Sequence, residues 1–188
     1  MKQLLICALL FASMITHAQD KWQKLYLFNG KACVSLPENM EAIASLYHRI
    51  PDIPNEQVAT YKYPGYDNGI LFTQTEAKRS GNEQYVKEFY KQQLAMYDER
   101  FEILSKEFVI NGDDCYAIIE CKLRDAYYKN EWYELGDGSM APYYGLYYCA
   151  LQDGVQTTIT AHYAFNKDLL PQFMDNTHKV LNSYRLLH

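Results

Sequence analysis

Cys115 to Leu123, CYAIIECKL, is the most restrictive stretch of the chain, because it is apolar on both sides of any strand it forms. Side chains alternate across a strand, so Cys115, Ala117, Ile119 and Cys121 share one face and Tyr116, Ile118 and Glu120 the other. Such a strand belongs in the middle of a sheet that is covered on both sides. FEILSKEFVI precedes it, and the intervening NGDD places Asn111-Gly112 where a hairpin needs residues that adopt left-handed backbone angles. The hairpin therefore predicts a central antiparallel pair with a layer on each face.

The remaining segments supply strands and layers. KLYLFNGKACVSLP holds a second hairpin signal at Asn29-Gly30. After Pro37, ENMEAIASLYHRIP is expected to form a short helix or a structured loop up to Pro51, and QVATYKYP and GILFTQTEA read as strands around GYDNG. A helix follows, capped by Ser80 or Asn82, with Val86, Phe89, Tyr90, Leu94 and Tyr97 on one face. YYGLYYCALQ and GVQTTITAHYAF pair around Asp153-Gly154; Tyr143, Gly145, Tyr147, Cys149 and Leu151 point one way, Tyr144, Leu146, Tyr148 and Ala150 the other. A closing helix, capped by Asp168 and tolerating Pro171 in its first turn, aligns Leu169, Phe173, Thr177, Val180 and Tyr184. Hairpin-linked strands with segregated helices define the α+β class: a mainly antiparallel sheet covered by helices, an α/β/α sandwich.

With 188 residues, 48% apolar and 22% charged, the chain suits one globular domain and is short for two. Its N-terminus reads as a signal peptide over residues 1–18: Lys2, the apolar run LLICALLFASMI, and small residues in THAQD before Gln19. That leaves a single domain at 19–188, expected in the periplasm or secreted. A run of about a dozen apolar residues falls short of the ~20 of a membrane span, and no second run follows, so no stable membrane insertion is expected after cleavage. Cys7 lies inside the apolar run and not behind it, which argues against a lipid anchor there. Loss of Lys2 and of no acidic residue moves the net charge from −5 to about −6. An acidic chain lacks the basic stripe that phosphate contacts require, so nucleic acid is not an expected partner.

Four cysteines follow the signal segment: Cys33, Cys115, Cys121 and Cys149. They permit three complete pairings; Cys121 with Cys149 on a neighbouring strand is the favoured bridge, against the alternative of four small buried thiols. Cys115 and Cys121 stand six residues apart on one strand, about 20 Å, and cannot pair with each other. No C-x-x-C occurs, and His48, His162, His178 and His188 show no metal-ligand spacing, so no metal or cofactor is expected. No G-x-S-x-G elbow or phosphate-cradling loop is present, Ser139 in GDGSM has no local partner, and nothing fixes Glu120, Glu131 and Glu134 as a pair. No catalytic residue is assigned, and the chain reads as a non-enzyme.

The aromatic residues between the CYAIIECKL strand and the YYGLYYCALQ strand carry the functional reading. Tyr127, Tyr128, Trp132, Tyr133 and Tyr143 are interleaved with Lys129, Asn130, Glu131 and Glu134 in a segment read as a loop. Tyrosine and tryptophan anchor protein interfaces because they bring large area at low rotamer cost, so these five are the expected partner-binding residues. The alternative is an extra hairpin packed on the sheet.

ACVSLPENM, the isolated helix, FEILSKEFVINGDDCYAIIECKL, YYGLYYCALQDGVQTTITAHYAF and FMDNTHKVLNSYRLL together resemble the PsbP/DcrB-like superfamily across nearly all of the mature chain. The resemblance implies an α/β/α sandwich. Its members include an extrinsic photosystem subunit, a Ran-binding release factor, periplasmic proteins and chaperones of secreted toxins, which share the holding of other macromolecules and no common active site. A binding protein for a protein partner, in the manner of an immunity or chaperone-like factor for a secreted effector, is therefore the leading expectation. A periplasmic carrier of a hydrophobic small molecule or lipid is the alternative, and a hydrolase whose site assembles only in three dimensions comes third.

Overall fold

The computed structural model describes residues 21–43, 57–63, 69–76, 82–95, 97, 99–112, 114–127, 143–163 and 170–187. The signal segment, the GYDN of the turn before Gly69, Ser80, Asp168 and most of the aromatic segment lie outside them.

Ten strands and two helices are described. In chain order they are β1 (Trp22–Leu27), β2 (Ala32–Pro37), β3 (Glu41–Ile43), β4 (Val58–Lys62), β5 (Gly69–Glu76), α1 (Asn82–Ala95), β6 (Phe101–Asn111), β7 (Asp114–Leu123), β8 (Tyr144–Gln152), β9 (Val155–Tyr163), α2 (Leu170–Ser183) and β10 (Arg185–Leu186). Seven strands form the main sheet in the order β3-β4-β5-β9-β8-β7-β6, and every pairing in it is antiparallel. The two-faced strand read from the sequence, β7, lies inside this sheet between β8 and β6. Asp153 and Gly154, with φ of 50° and 73°, make the two-residue turn that joins Gln152 to Val155 and fixes the register of β8 on β9.

The first hairpin does not extend this sheet. β1 and β2 pair through the turn at Asn29-Gly30 and, with β10 added to the other edge of β2, form a separate three-stranded sheet. Glu41–Ile43, expected in a helix or loop, instead pairs with β4 as a short edge strand. Three residues within reach of a strand edge gain ladder hydrogen bonds that an isolated turn of helix does not supply.

Burial follows the alternation. One face of the main sheet contributes Ile70, Phe72, Leu146, Ile159 and Tyr163 to a core closed by α2, through Leu170, Phe173 and Val180, and by the small sheet, through Ala32, Val34 and Leu36. On the other face, Cys115, Ala117 and Cys149 pack beneath Val86 of α1, with Phe89 and Tyr90 at the margin. Small strand residues there let the helix approach closely. Leu146 is fully buried at the centre of the larger core, so Leu146→Ala is expected to cost about 2–5 kcal/mol, read as a lower urea midpoint.

All four described thiols are free and buried. Register removes the favoured bridge: Cys121 faces Gly145 and Cys149 faces Ala117, an offset of four residues, or ~14 Å along the ladder, where a disulfide needs Cα atoms within about 7 Å. Cys33, Cys115, Cys121 and Cys149 should therefore stay silent to a thiol reagent in the native protein and all react, without reductant, in denaturant. Two equivalents instead of four would reveal a bridge.

Candidate partner-binding site

Two of the five aromatic residues singled out in the sequence fall among the described residues. Tyr127 closes a turn on Arg124, its N–H donating to that carbonyl at 2.9 Å. Tyr143 ties three strands: its carbonyl accepts from Leu123 N–H and its N–H donates to Tyr163, both at 2.7 Å. Both side chains are half-buried against Phe101, Cys121, Leu123 and Tyr147. The structure thus brings Tyr127 and Tyr143 to one corner of the sheet, beside the end of α1, and seats them on an aromatic base. Tyr128, Trp132 and Tyr133 lie outside the described residues.

That base is tightly built. Tyr97 meets Phe101 edge-on at 5.7 Å and Tyr147 at 6.3 Å, while Tyr147 meets His162 at 5.2 Å. A Cβ on Gly145 would sit 2.7 Å from the Tyr147 ring, so glycine at this strand position is what lets the ring lie back along β8. Burial raises the Tyr97 and Tyr147 phenols and pushes the Cys121 thiol up to about 11. These are inert groups at neutral pH.

A second site lies on the opposite face, where α2 stops short of the β6 side of the sheet. Here a groove of about 620 Å³ runs between the sheet and the end of α2, floored by Tyr116, Ile118 and Tyr148 and walled by Leu181, Asn182 and Tyr184. The Tyr116 and Tyr148 rings stack at 6.3 Å with 28° between their planes. Tyr116 O–H donates to Glu107 at 2.8 Å, and that hydrogen bond to a carboxylate is the first cause of its raised phenol pKa. Burial pushes the Tyr148 phenol up to about 12. Tyr184 shares a 3.2 Å hydrogen bond with Thr157, and Arg185 Nη1 donates to the Tyr184 carbonyl at 2.6 Å. Glu107, Asp153 and Arg185 give the rim charges of both signs.

Two residues beyond Ile118 on the same face of β7 stands Glu120, 5% exposed. Its Oε1 accepts from Tyr144 O–H at 2.8 Å and contacts His178 Nε2 of α2 at 2.7 Å. Burial, followed by the Glu120 charge, holds the Tyr144 phenol well above its usual range. His178 is one helical turn before Leu181 and Asn182, so this buried acid is tied to the helix that walls the groove. Among the described residues no three metal-ligating side chains gather.

No family model and no curated protein matches this sequence. Solved structures do. The solution structure of cyanobacterial PsbP (CyanoP) from Synechocystis sp. PCC 6803 superimposes with a TM-score of 0.54 over 92% of this chain and 96% of its own, at 11% identity. The chain has the PsbP-like fold. A crystal structure from Bacteroides thetaiotaomicron matches at a TM-score of 0.52 and 8% identity over 88% of this chain and 48% of that one. The Saccharomyces cerevisiae Ran-binding protein Mog1p gives 0.47 at 12% identity over 89% and 96%.

On this PsbP-like sheet the groove and the Glu120 cluster are the features that sequence reasoning missed. Tyr116 and Tyr148 read as strand interior, and Glu120 and His178 as unconnected polar residues 58 positions apart. No local pattern pointed to either feature, because both are set by which strands the helix and the small sheet cover. Among the described residues no helix is long and apolar enough to cross a membrane.

The raised thiols set an alkaline limit. Cys121 and Cys149 are pushed up by burial, to about 11 and about 12, from an ordinary thiol value of 9.0. Above that value the unfolded chain releases protons that the folded one still holds, so stability is intact below about pH 9 and falls as pH rises toward the folded values. The urea midpoint of the wild type should drop between about pH 8 and about pH 10.5, and Cys149→Ala should reduce the slope.

Proposed function

We propose that the mature chain is an exported, non-catalytic binding protein that takes a segment of a protein partner into the groove between α2 and strands β6–β8. The observation that carries this reading is the groove's construction. Three tyrosines supply broad faces with polar tips, Leu181 and Ile118 supply apolar contact, and Glu107, Asp153 and Arg185 supply charge to the lining. Tyrosine-rich concave surfaces with a charged rim suit peptide segments, which bring backbone polar groups and side chains together. A lipid or other hydrophobic cargo calls for a more enclosed apolar cavity, so the carrier reading comes second. The export signal read at residues 1–18 places the encounter in the periplasm or outside the cell. An immunity or chaperone-like role toward a secreted effector is the specific form of this proposal.

The aromatic segment remains a second candidate surface. Tyr127 and Tyr143 hold its two ends on the sheet, and Tyr128, Trp132 and Tyr133 lie between them in the sequence. The two surfaces draw on different residues and are separable by mutation. Tyr116→Ala trims a ring at the groove mouth; Tyr128→Ala with Trp132→Ala and Tyr133→Ala trims the segment.

The test is affinity capture from envelope and secreted fractions with three folded baits: wild type, Tyr116→Ala and the triple variant. A protein held by the wild type and weakened by roughly tenfold or more in Tyr116→Ala assigns the groove, in line with the loss expected of an anchor residue. Loss confined to the triple variant moves the site to the aromatic segment. A wild-type bait that retains a co-purified lipid and no protein overturns the reading in favour of a carrier.

A further inference from the structure

The charge of the groove is one-sided. Glu107 and Asp153 bring two carboxylates to its lining and Arg185 one guanidinium, in a chain of net charge −5. Arg185 is engaged at the helix end, where its Nη1 donates to the Tyr184 carbonyl at 2.6 Å. The other cations of the neighbourhood are engaged or turned away: Lys106 stands opposite Ile119 on the other face of the sheet, Lys179 lies over the Trp22 ring, and His178 meets Glu120. α2 ends at the groove wall, and no basic residue in its last turn offsets the partial negative charge of a helix C-terminus.

The aromatic floor has a geometry to match. Tyr116 and Tyr148 come from neighbouring strands, and their rings, 6.3 Å apart and within 28° of parallel, together present a broad π surface. Aromatic faces are electron-rich and attract cations. Tyr116 O–H donates to Glu107 at 2.8 Å, which fixes a carboxylate at the hydroxyl edge of that surface. A carboxylate accepts about four hydrogen bonds, and the phenol uses one. Surface and carboxylate together suit a flat cation that stacks by its face and donates from its edge. A guanidinium does both, whereas an ammonium is a compact, strongly hydrated point charge.

We propose that the groove recognises an arginine of the partner's segment, its guanidinium laid on the Tyr116–Tyr148 surface and hydrogen-bonded to Glu107. The proposal deepens the peptide-binding reading and rests on the groove being the binding site. Ile118 and Leu181, in the same lining, cover the methylenes that carry the guanidinium. An acidic segment would meet Glu107 and Asp153 with like charge, and a purely apolar one would leave the Glu107 carboxylate without its counter-charge.

The test is a titration of the protein with the peptide acetyl-Ser-Gly-Arg-Gly-Ser-amide, read from the NMR signals of the tyrosine rings, beside the same peptide with citrulline, lysine or aspartate at its centre. Citrulline keeps the planar group and loses the charge. The arginine peptide should shift the Tyr116 and Tyr148 rings saturably, with the lysine peptide about threefold weaker and the citrulline peptide about tenfold weaker. Glu107→Gln keeps an acceptor for the Tyr116 hydroxyl and should weaken the arginine peptide about threefold while leaving the citrulline peptide unchanged, a coupling that a structural role for Glu107 does not produce. No saturable shift at these rings, equal binding of arginine and citrulline, preference for aspartate, or unchanged arginine affinity in Glu107→Gln overturns the proposal. So do ring signals that move with protein concentration alone, which give the groove to a second copy of the chain. In the capture experiment, a partner lost by Tyr116→Ala and held at full strength by Glu107→Gln overturns the arginine and leaves the groove standing. Loss confined to the aromatic-segment variant removes the groove reading and the arginine with it.

Discussion

The structure depends on a ladder that is buried on both sides. β7, β8 and β9 are fully paired, and together they present apolar residues to two different layers: Leu146, Ile159 and Ala161 to α2 and the small sheet, Ala117, Ile119 and Cys149 to α1. Each fully buried large side chain contributes roughly 1.5–3 kcal/mol relative to exposure, and a strand used on both faces draws that contribution from every residue instead of every second one. Neither helix could be held by its own propensity at 14 residues. They are helices because the ladder offers each an apolar surface.

Two-faced burial also explains where polar groups are found. Tyr144 is completely buried, and its hydroxyl needs a partner that the apolar core does not contain. Glu120 is that partner, and a carboxylate drawn so deep needs more than one donor, which His178 completes from the helix. The thiols solve the same problem differently. Cys115, Cys121 and Cys149 occupy small-residue sites beneath α1 and its end, where a weakly polar SH group is tolerated without a strong partner. The register keeps Cys121 and Cys149 four residues out of step.

Most of the architecture was legible because it is periodic. Alternation in CYAIIECKL and YYGLYYCALQ, the Asn-Gly and Asp-Gly turns, and the 3.6-residue spacing of Phe173, Thr177 and Val180 each act over a few neighbouring positions, and all were found where expected. The resemblance to the PsbP/DcrB-like superfamily, which rested on that order of elements, agrees with the fold. Hidden from the sequence was everything set by which strand lies beside which. The small sheet exists because β10 joins β2, 150 residues away, and no local pattern announces it. The Cys121–Cys149 bridge looked reasonable on neighbouring strands and fails on a four-residue offset. Of the expected binding residues, Tyr127 and Tyr143 were placed together and half-buried, because a loop that starts and ends on one corner of a sheet brings its first and last rings onto that corner.

The groove follows from unequal cover. Among the described residues, one helix and three short strands close the face around β8, β9 and β5 and leave the β6–β7 side open, where Tyr116 and Tyr148 then face a cleft instead of a core. β6, at the sheet's edge, is blunted against adding another strand by a register shift between Ile103 and Ser105 and by exposed Glu102, Lys106 and Glu107. The strand edge is thus blunted, and the aromatic surface lies on the face. A fold of this kind fixes no function by itself. What it fixes is geometry: a two-sided ladder, a strip of one face that the described residues leave uncovered, and a helix end tied down by Ser183 on Ser35 and Tyr184 on Thr157, beside the buried Glu120–His178 contact.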